Sequence, residues 1–207
     1  MQDLLDRILC LKQNPQVSEQ VNHCISLFED LHYKGNELWF SELCFCILTA
    51  NSKAQTAMNI QAQLGYSGFV SLTEHELAKT IKEHKHRFHN TKAKYIVHAR
   101  KFHNIKDVLP NNEFNAREWL VMNVTGLGMK ESSHFLRNVG YANVAILDRH
   151  ILKVLLESGS IDSIPNLSPK NYLRLEKLLS DLCIQTNLSQ AELDLYLWYM
   201  KTGKILK

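Results

Sequence analysis

Proline and glycine are scarce, four and eight residues in a chain of 207, and they fall mainly between apolar runs. So few backbone breakers exclude a collagen-like or linker-rich chain and leave room for uninterrupted helices. Cysteine is scarce too. Cys10, Cys24, Cys44, Cys46 and Cys183 are an odd set with no C-x-x-C pair, which indicates neither a disulfide framework nor a zinc site and makes a reducing cytoplasm the expected home. The longest apolar stretch, around Cys44 to Leu48, is far too short to span a bilayer. The start, Met1-Gln2-Asp3-Leu4-Leu5-Asp6, lacks the basic segment and apolar core of an export signal, so a soluble, unexported chain is expected. There is no internal repeat, low-complexity tract, P-loop, dinucleotide fingerprint or metal-ligand cluster, and no cofactor or metal is expected.

What is present is an ordinary globular composition, 45% hydrophobic, enough to bury a core in one domain or two small lobes. Apolar residues recur at three- and four-residue spacings, which predicts an all-α chain. Helices are expected near 2–14, 17–33, 37–50, 53–64, 74–84, 90–104, 113–123, 129–139, 148–158, 169–186 and 189–202, with a loop at Gly159-Ser160-Ile161-Asp162-Ser163-Ile164-Pro165. The net charge of +3 says little, but its distribution says more. Lys82, Lys85, Arg87, Lys92, Lys94, Arg100, Lys101 and Lys106, with five histidines among them, are opposed only by Glu83. Such a run is either a solvated helix face or a track for a polyanion.

The most informative segment is Val124-Thr125-Gly126-Leu127-Gly128-Met129-Lys130. Two glycines between apolar helical runs fit a tight helix-to-helix turn, because glycine crosses positive φ without a Cβ clash. Amides at the start of the next helix, near Met129 and Lys130, then form a ready site for a phosphate oxygen. Contact of this kind grips nucleic acid without reading bases. Lys130 stands where that helix begins, beside the positive end of its dipole, an arrangement that favours the neutral amine a nucleophile needs. His134, four residues on, shares its face and reads either as a phosphate contact or as a packed interior histidine. Asp148 reads as a helix N-cap, as a carboxylate with a chemical role, or as both. Arg149 reads as a phosphate contact or a surface charge.

The hairpin, Ser133-His134-Phe135-Leu136-Arg137-Asn138-Val139-Gly140-Tyr141 and Val144-Ala145-Ile146-Leu147-Asp148-Arg149-His150 together resemble the helix-hairpin-helix DNA glycosylases, and within them the archaeal-type 8-oxoguanine DNA glycosylase/AP lyases. Trp39 to Asn51 and Asp194-Leu195-Tyr196-Leu197-Trp198-Tyr199 are similar to that family as well, so the resemblance spans nearly the whole chain. Thr125 stands where the broader superfamily often has proline, and Ser132 where alanine is usual.

The resemblance implies a two-lobed all-α fold, residues 1–207 as one domain, with one lobe from the chain ends and one from the middle that includes the hairpin at 113–140. No N-terminal β-sheet lobe is expected. It implies an active site in the cleft between lobes, with Lys130 as Schiff-base nucleophile and Asp148 as its carboxylate. It also implies base stacking on Phe88 and Trp198, which by sequence alone read as core aromatics, and a Lys207 α-carboxylate accepting from N7–H of the lesion. Asn51 would fill the gap left by the extruded base or simply cap a helix, while Gly126, Gly128, His134 and Arg149 would meet DNA. Relatives with an iron–sulfur cluster need four spaced cysteines after the catalytic region, where this chain has only Cys183. The partner implied is double-stranded DNA with a damaged base, met by a monomer with no protein partner, in the cytoplasm and on the nucleoid. The alternatives are a lyase of the same superfamily for another lesion and a non-catalytic DNA-binding module.

Overall fold

A computed structural model describes residues 2–207; among them there are twelve α-helices and no strand. The chain divides into two compact units, one from the two ends (up to Asp30 and from Gly140 on) and one from Leu31 to Val139.

In the middle unit α3 (Asn36–Thr49) is the central helix, buried at every residue from Trp39 to Thr49. A helix apolar on all sides is stable only inside a core, and α3 is covered by α4 (Ala54–Ser71), α6 (His89–Ala99), α7 (Ile105–Val108) and α9 (Met129–Asn138). The remaining two, α5 (Glu74–Glu83) and α8 (Glu113–Asn123), pack on α4 and α6 and on α9 respectively. Their starts follow from capping chemistry. Thr73 accepts from the amide of Glu76 while the Glu76 carboxylate takes the Thr73 amide, and Asn112 accepts from the amides of Phe114 and Asn115.

The expected helices miss two short segments. Helix α4 is interrupted at Gly65, whose φ of +55° and ψ of −170° are not helical, so its first piece stops where expected, near 64, and a second helical piece that the periodicity did not reveal continues to Ser71. The expected helix 90–104 tightens into a 3₁₀ turn at Arg100–Phe102 and is followed by the short α7, which sequence periodicity did not reveal.

The basic run is only partly a surface track. Lys92 is buried; Arg100 donates through Nε to Phe69 O at 2.9 Å and through Nη2 to Leu72 O; Lys106 donates to the carbonyls of His32 and Lys34, both at 2.7 Å. Lys82, Lys85, Arg87, Lys94 and Lys101 are exposed.

The chain-end unit holds α1 (Gln2–Gln13), most of α2 (Pro15–His32), α10 (Arg149–Glu157), α11 (Pro169–Thr186) and α12 (Gln190–Thr202). Here α1 packs on α11 and α12, and α10 and α11 pack on α12. The extended segment Val144–Leu147 is buried outside any helix, so its backbone needs side-chain partners. Two side chains of α11 supply them. The Ala145 amide donates to Glu176 Oε1 at 2.8 Å, the Tyr172 hydroxyl donates to Ala145 O at 2.7 Å, and the Leu147 amide donates to Tyr172 Oη at 3.3 Å. This bracing delivers the chain to Asp148.

Helix α9 is polar yet buried from Ser132 to Asn138. Asn138 accepts from Arg137 Nε and Nη2 at 3.0 and 2.8 Å and donates to Glu42 Oε1 of α3 at 2.6 Å, while Glu42 Oε2 accepts from Gln61 Nε2 of α4 at 3.0 Å. The amide relays between a buried guanidinium and a buried carboxylate. Asn138→Ala removes a partner from each and is expected to cost about 2–4 kcal/mol, measured as a lower urea midpoint with an unchanged slope.

Candidate active site

Helix α8 ends at Asn123, and the chain turns through Val124 to Gly128 into α9. The turn closes with the Leu127 amide donating to Val124 O at 3.2 Å. The two glycines do different things. Gly126 sits at φ +96°, and a Cβ there would stand 2.4 Å from Cδ2 of Tyr95 on α6, so both the backbone angle and the space require glycine. Gly128, at φ −100°, needs no left-handed freedom and is the N-cap of α9. Its amide donates to Glu131 Oε2 at 3.4 Å, and its carbonyl accepts from the Ser132 amide at 2.9 Å. Amides of the first turn of α9, those of Met129 and Lys130, have no preceding carbonyl to bond within the helix.

Lys130 is half-buried in that first turn, its Nζ 3.7 Å from Glu131 Oε1. Glu131 therefore serves both as a cap and as a counter-ion, a pairing the sequence reading passed over although a glutamate at the third helical position is a capping signal. His134 is 8% exposed and packs edge-on against Phe45 of α3, ring centroids 5.6 Å apart, a placement that favours the interior reading of this histidine.

Phe88 and Asn51 are held on neighbouring loops of the middle unit. Asn51 follows α3 at φ +59°, a left-handed position that asparagine tolerates, and is exposed. Phe88 precedes α6, half-buried, with the Arg87 guanidinium 4.4 Å from its ring centroid. Between them stands His86, read from sequence as one more basic-face residue. It is buried, its Nε2 lies 2.9 Å from Leu48 O near the end of α3, and its Nδ1 accepts from the Phe88 amide at 3.2 Å. Those two bonds assign the neutral tautomer protonated on Nε2, and burial lowers the imidazole from its usual value, consistent with that form.

In the chain-end unit Asp148 caps α10, its Oδ1 accepting from the amides of His150 and Ile151, both at 2.8 Å. Both bonds fall on one oxygen, so the cap leaves Oδ2 available for a second role. Trp198 on α12 is half-buried, and its indole Nε1 is enclosed without a hydrogen-bond partner among the described residues. The His150 ring stands edge-on to it at 4.7 Å, and Arg149 Nε donates to His150 Nε2 at 3.2 Å. His150 was legible only as part of a quoted motif; nothing in the sequence tied it to Trp198. Lys207 is half-buried, beyond the left-handed Gly203 that ends α12 at φ +67°. Among the described residues no three His, Cys, Asp or Glu side chains gather as metal ligands.

The hairpin yields a direct test. Gly126→Ala forces a Cβ into the Tyr95 ring at a positive φ, and is expected to weaken duplex DNA binding about tenfold or more and to destabilise the fold by about 1–3 kcal/mol, read by fluorescence anisotropy and thermal unfolding.

Comparison with known proteins identifies the family. The family described as 8-oxoguanine DNA glycosylase matches residues 21–188. The 8-oxoguanine DNA glycosylase/AP lyase of Methanocaldococcus jannaschii is 49% identical over 207 residues, 99% of each chain, and that of Korarchaeum cryptofilum is 43% identical over 99% of this chain and 98% of its own. The crystal structure of the M. jannaschii glycosylase/lyase with a 15mer DNA containing 8-oxoguanine is similar at a TM-score of 0.95 and 48% identity, covering 99% of each chain. The 8-oxoguanine DNA glycosylase of Thermotoga maritima is similar at 0.93 and 37%, covering 100% of this chain and 99% of its own. An all-α helix-hairpin-helix chain matched this closely from end to end belongs to the 8-oxoguanine DNA glycosylase family.

Proposed function

We propose that this protein excises 8-oxoguanine from duplex DNA and then cleaves the strand at the resulting site, with Lys130 as the nucleophile. The observation that carries the reading is the placement of Lys130 one residue into α9, directly behind a hairpin whose amides suit a phosphate. Phosphate contact at Gly126 to Lys130 sets register on the duplex and supplies salt-dependent affinity. The target base leaves the stack, as enzymes acting on a base in duplex DNA require, and Phe88 and Trp198 offer it aromatic faces while Asn51 fills the vacated space. An α-carboxylate at Lys207 accepting the N7 hydrogen distinguishes 8-oxoguanine from guanine, which has no hydrogen there.

The neutral Lys130 amine attacks C1′ of the sugar as the glycosidic C–N bond breaks, and the base departs with that bond's electron pair and takes up a proton. The attacking nitrogen gives up a proton, the C1′–O4′ bond breaks with its electron pair on O4′, which takes up a proton, and the nitrogen lone pair forms the C1′=N bond of a protonated Schiff base. Loss of a C2′ proton then expels the 3′ phosphate by β-elimination, and water releases the lysine. Asp148, through the oxygen its cap leaves open, stabilises the positive charge that develops on the sugar. A monomer suffices for this chemistry, which needs no cofactor.

Borohydride trapping on a duplex with one 8-oxoguanine, beside undamaged, oxidised-pyrimidine and abasic duplexes, tests the reading. Lys130→Gln is expected to abolish trapping, and Asp148→Asn to slow it by about a hundredfold or more. Trapping that survives Lys130→Gln removes the nucleophile assignment; trapping confined to another duplex changes the substrate.

A further inference from the structure

His86 has no part in the reaction described so far, yet it is 3% exposed and engaged at both ring nitrogens. The backbone leading to it is tightly held. Helix α5 ends with Lys85 in the left-handed region, at φ +59°; the Lys85 amide donates to Lys82 O at 2.8 Å and the His86 amide to Ile81 O at 3.3 Å. This pair of bonds is a Schellman closure, built here on a lysine where glycine is usual, and it fixes the direction in which His86 leaves α5.

The imidazole then meets two groups that helices leave without partners at their ends. Leu48 O lies in the last turn of α3, and the amide four residues on, that of Ser52, donates to Thr49 O at 3.0 Å instead, so His86 Nε2–H donates to Leu48 O at 2.9 Å. The Phe88 amide, just before the first turn of α6, donates to His86 Nδ1 at 3.2 Å. One rigid ring therefore joins the end of α3 to the backbone of Phe88. A neutral imidazole offers a donor and an acceptor on separate atoms of one plane, which is what this bridge requires. The Arg87 guanidinium, 4.4 Å from the Phe88 ring centroid, comes from the same loop and cannot set its distance from α3.

We propose that His86 is a positioning residue for base stacking: it ties the Phe88 backbone to the end of α3, three residues before Asn51, and so holds the stacking ring in register with the residue that fills the vacated space. The inference rests on the reading of Phe88 as a stacking face and names what fixes its place.

Two single-turnover assays test it: release of the base from an 8-oxoguanine duplex, and strand cleavage of a duplex with a preformed abasic site, which has no base to stack. The variants are His86→Phe, which fills the volume and makes neither bond; His86→Asn, whose Oδ1 replaces Nδ1; His86→Gln, whose Nε2 replaces its namesake; and Phe88→Ala, the reference for lost stacking. His86→Phe is expected to release 8-oxoguanine about ten- to a hundredfold more slowly while cleaving the abasic duplex within about twofold of wild type. His86→Asn and His86→Gln, each keeping half of the bridge, are expected to fall between His86→Phe and wild type on release. Long-range proton–nitrogen correlation near neutrality is expected to show the His86 ring protonated on Nε2 alone; a proton on Nδ1 removes the acceptor and overturns the assignment. Thermal unfolding confirms that each variant is folded, and the two amide variants carry the comparison if His86→Phe is not. Equal slowing on both duplexes, or release unchanged in the His86 variants while Phe88→Ala slows it, overturns the His86 assignment and leaves the stacking reading standing. Release unchanged in Phe88→Ala overturns the stacking reading and the His86 assignment with it.

Discussion

The rest of this structure depends on a polar helix being buried. Helix α9 carries serines, a histidine, an arginine and an asparagine into the interior of the middle unit, where each polar group must find a partner. Arg117 of α8 donates to Ser133 Oγ at 3.3 Å, and Asn138 stands between Arg137 and Glu42. Such bonds are directional. They fix the rotation of α9 about its axis, which apolar packing alone would do less sharply, and so determine which residues of its first turn reach the surface. Met129, Lys130 and Glu131 are those residues, and Lys130 is the one with an amine.

The chain-end unit solves a related problem by other means. Asp148 has to be placed at the start of α10 by a segment that is neither helix nor strand, and Tyr172 and Glu176 of α11 substitute for the missing secondary structure. The cap then consumes one carboxylate oxygen and spares the other. At the same helix start His150 stands edge-on to the Trp198 indole of α12, so the residue proposed for charge stabilisation lies two positions from one that touches a proposed stacking face. A single helix N-terminus thus meets a structural need and carries the proposed chemical one.

Legibility in the sequence followed locality. The hairpin was readable because glycine, apolar flanks and a lysine lie within a few residues, and Gly126 does sit at the positive φ that such a turn requires. Asp148 was readable as a cap for the same reason. The all-α reading came from periodicity, and α3 carries the longest apolar stretch, around Cys44 to Leu48. What failed depended on residues distant in sequence. Lys92 and His86 lie in a basic run and look like surface, but Lys92 is buried on α6 and His86, in the loop before it, is turned inward against the end of α3. His134 shares helical spacing with Lys130, yet Phe45, from α3, encloses it. Gly65 does end the first piece of α4, but the short helical piece beyond it, up to Ser71, was not legible. A glycine marks a change in direction without stating its size.

Chemistry at one particular amine is the central claim, and several amines lie nearby in sequence or space. Borohydride-reduced complex with 8-oxoguanine duplex, digested and sequenced by tandem mass spectrometry, locates the covalent bond directly. The account predicts a single adduct on Lys130; an adduct on Lys92, on any other lysine or on the N-terminal amine would contradict it.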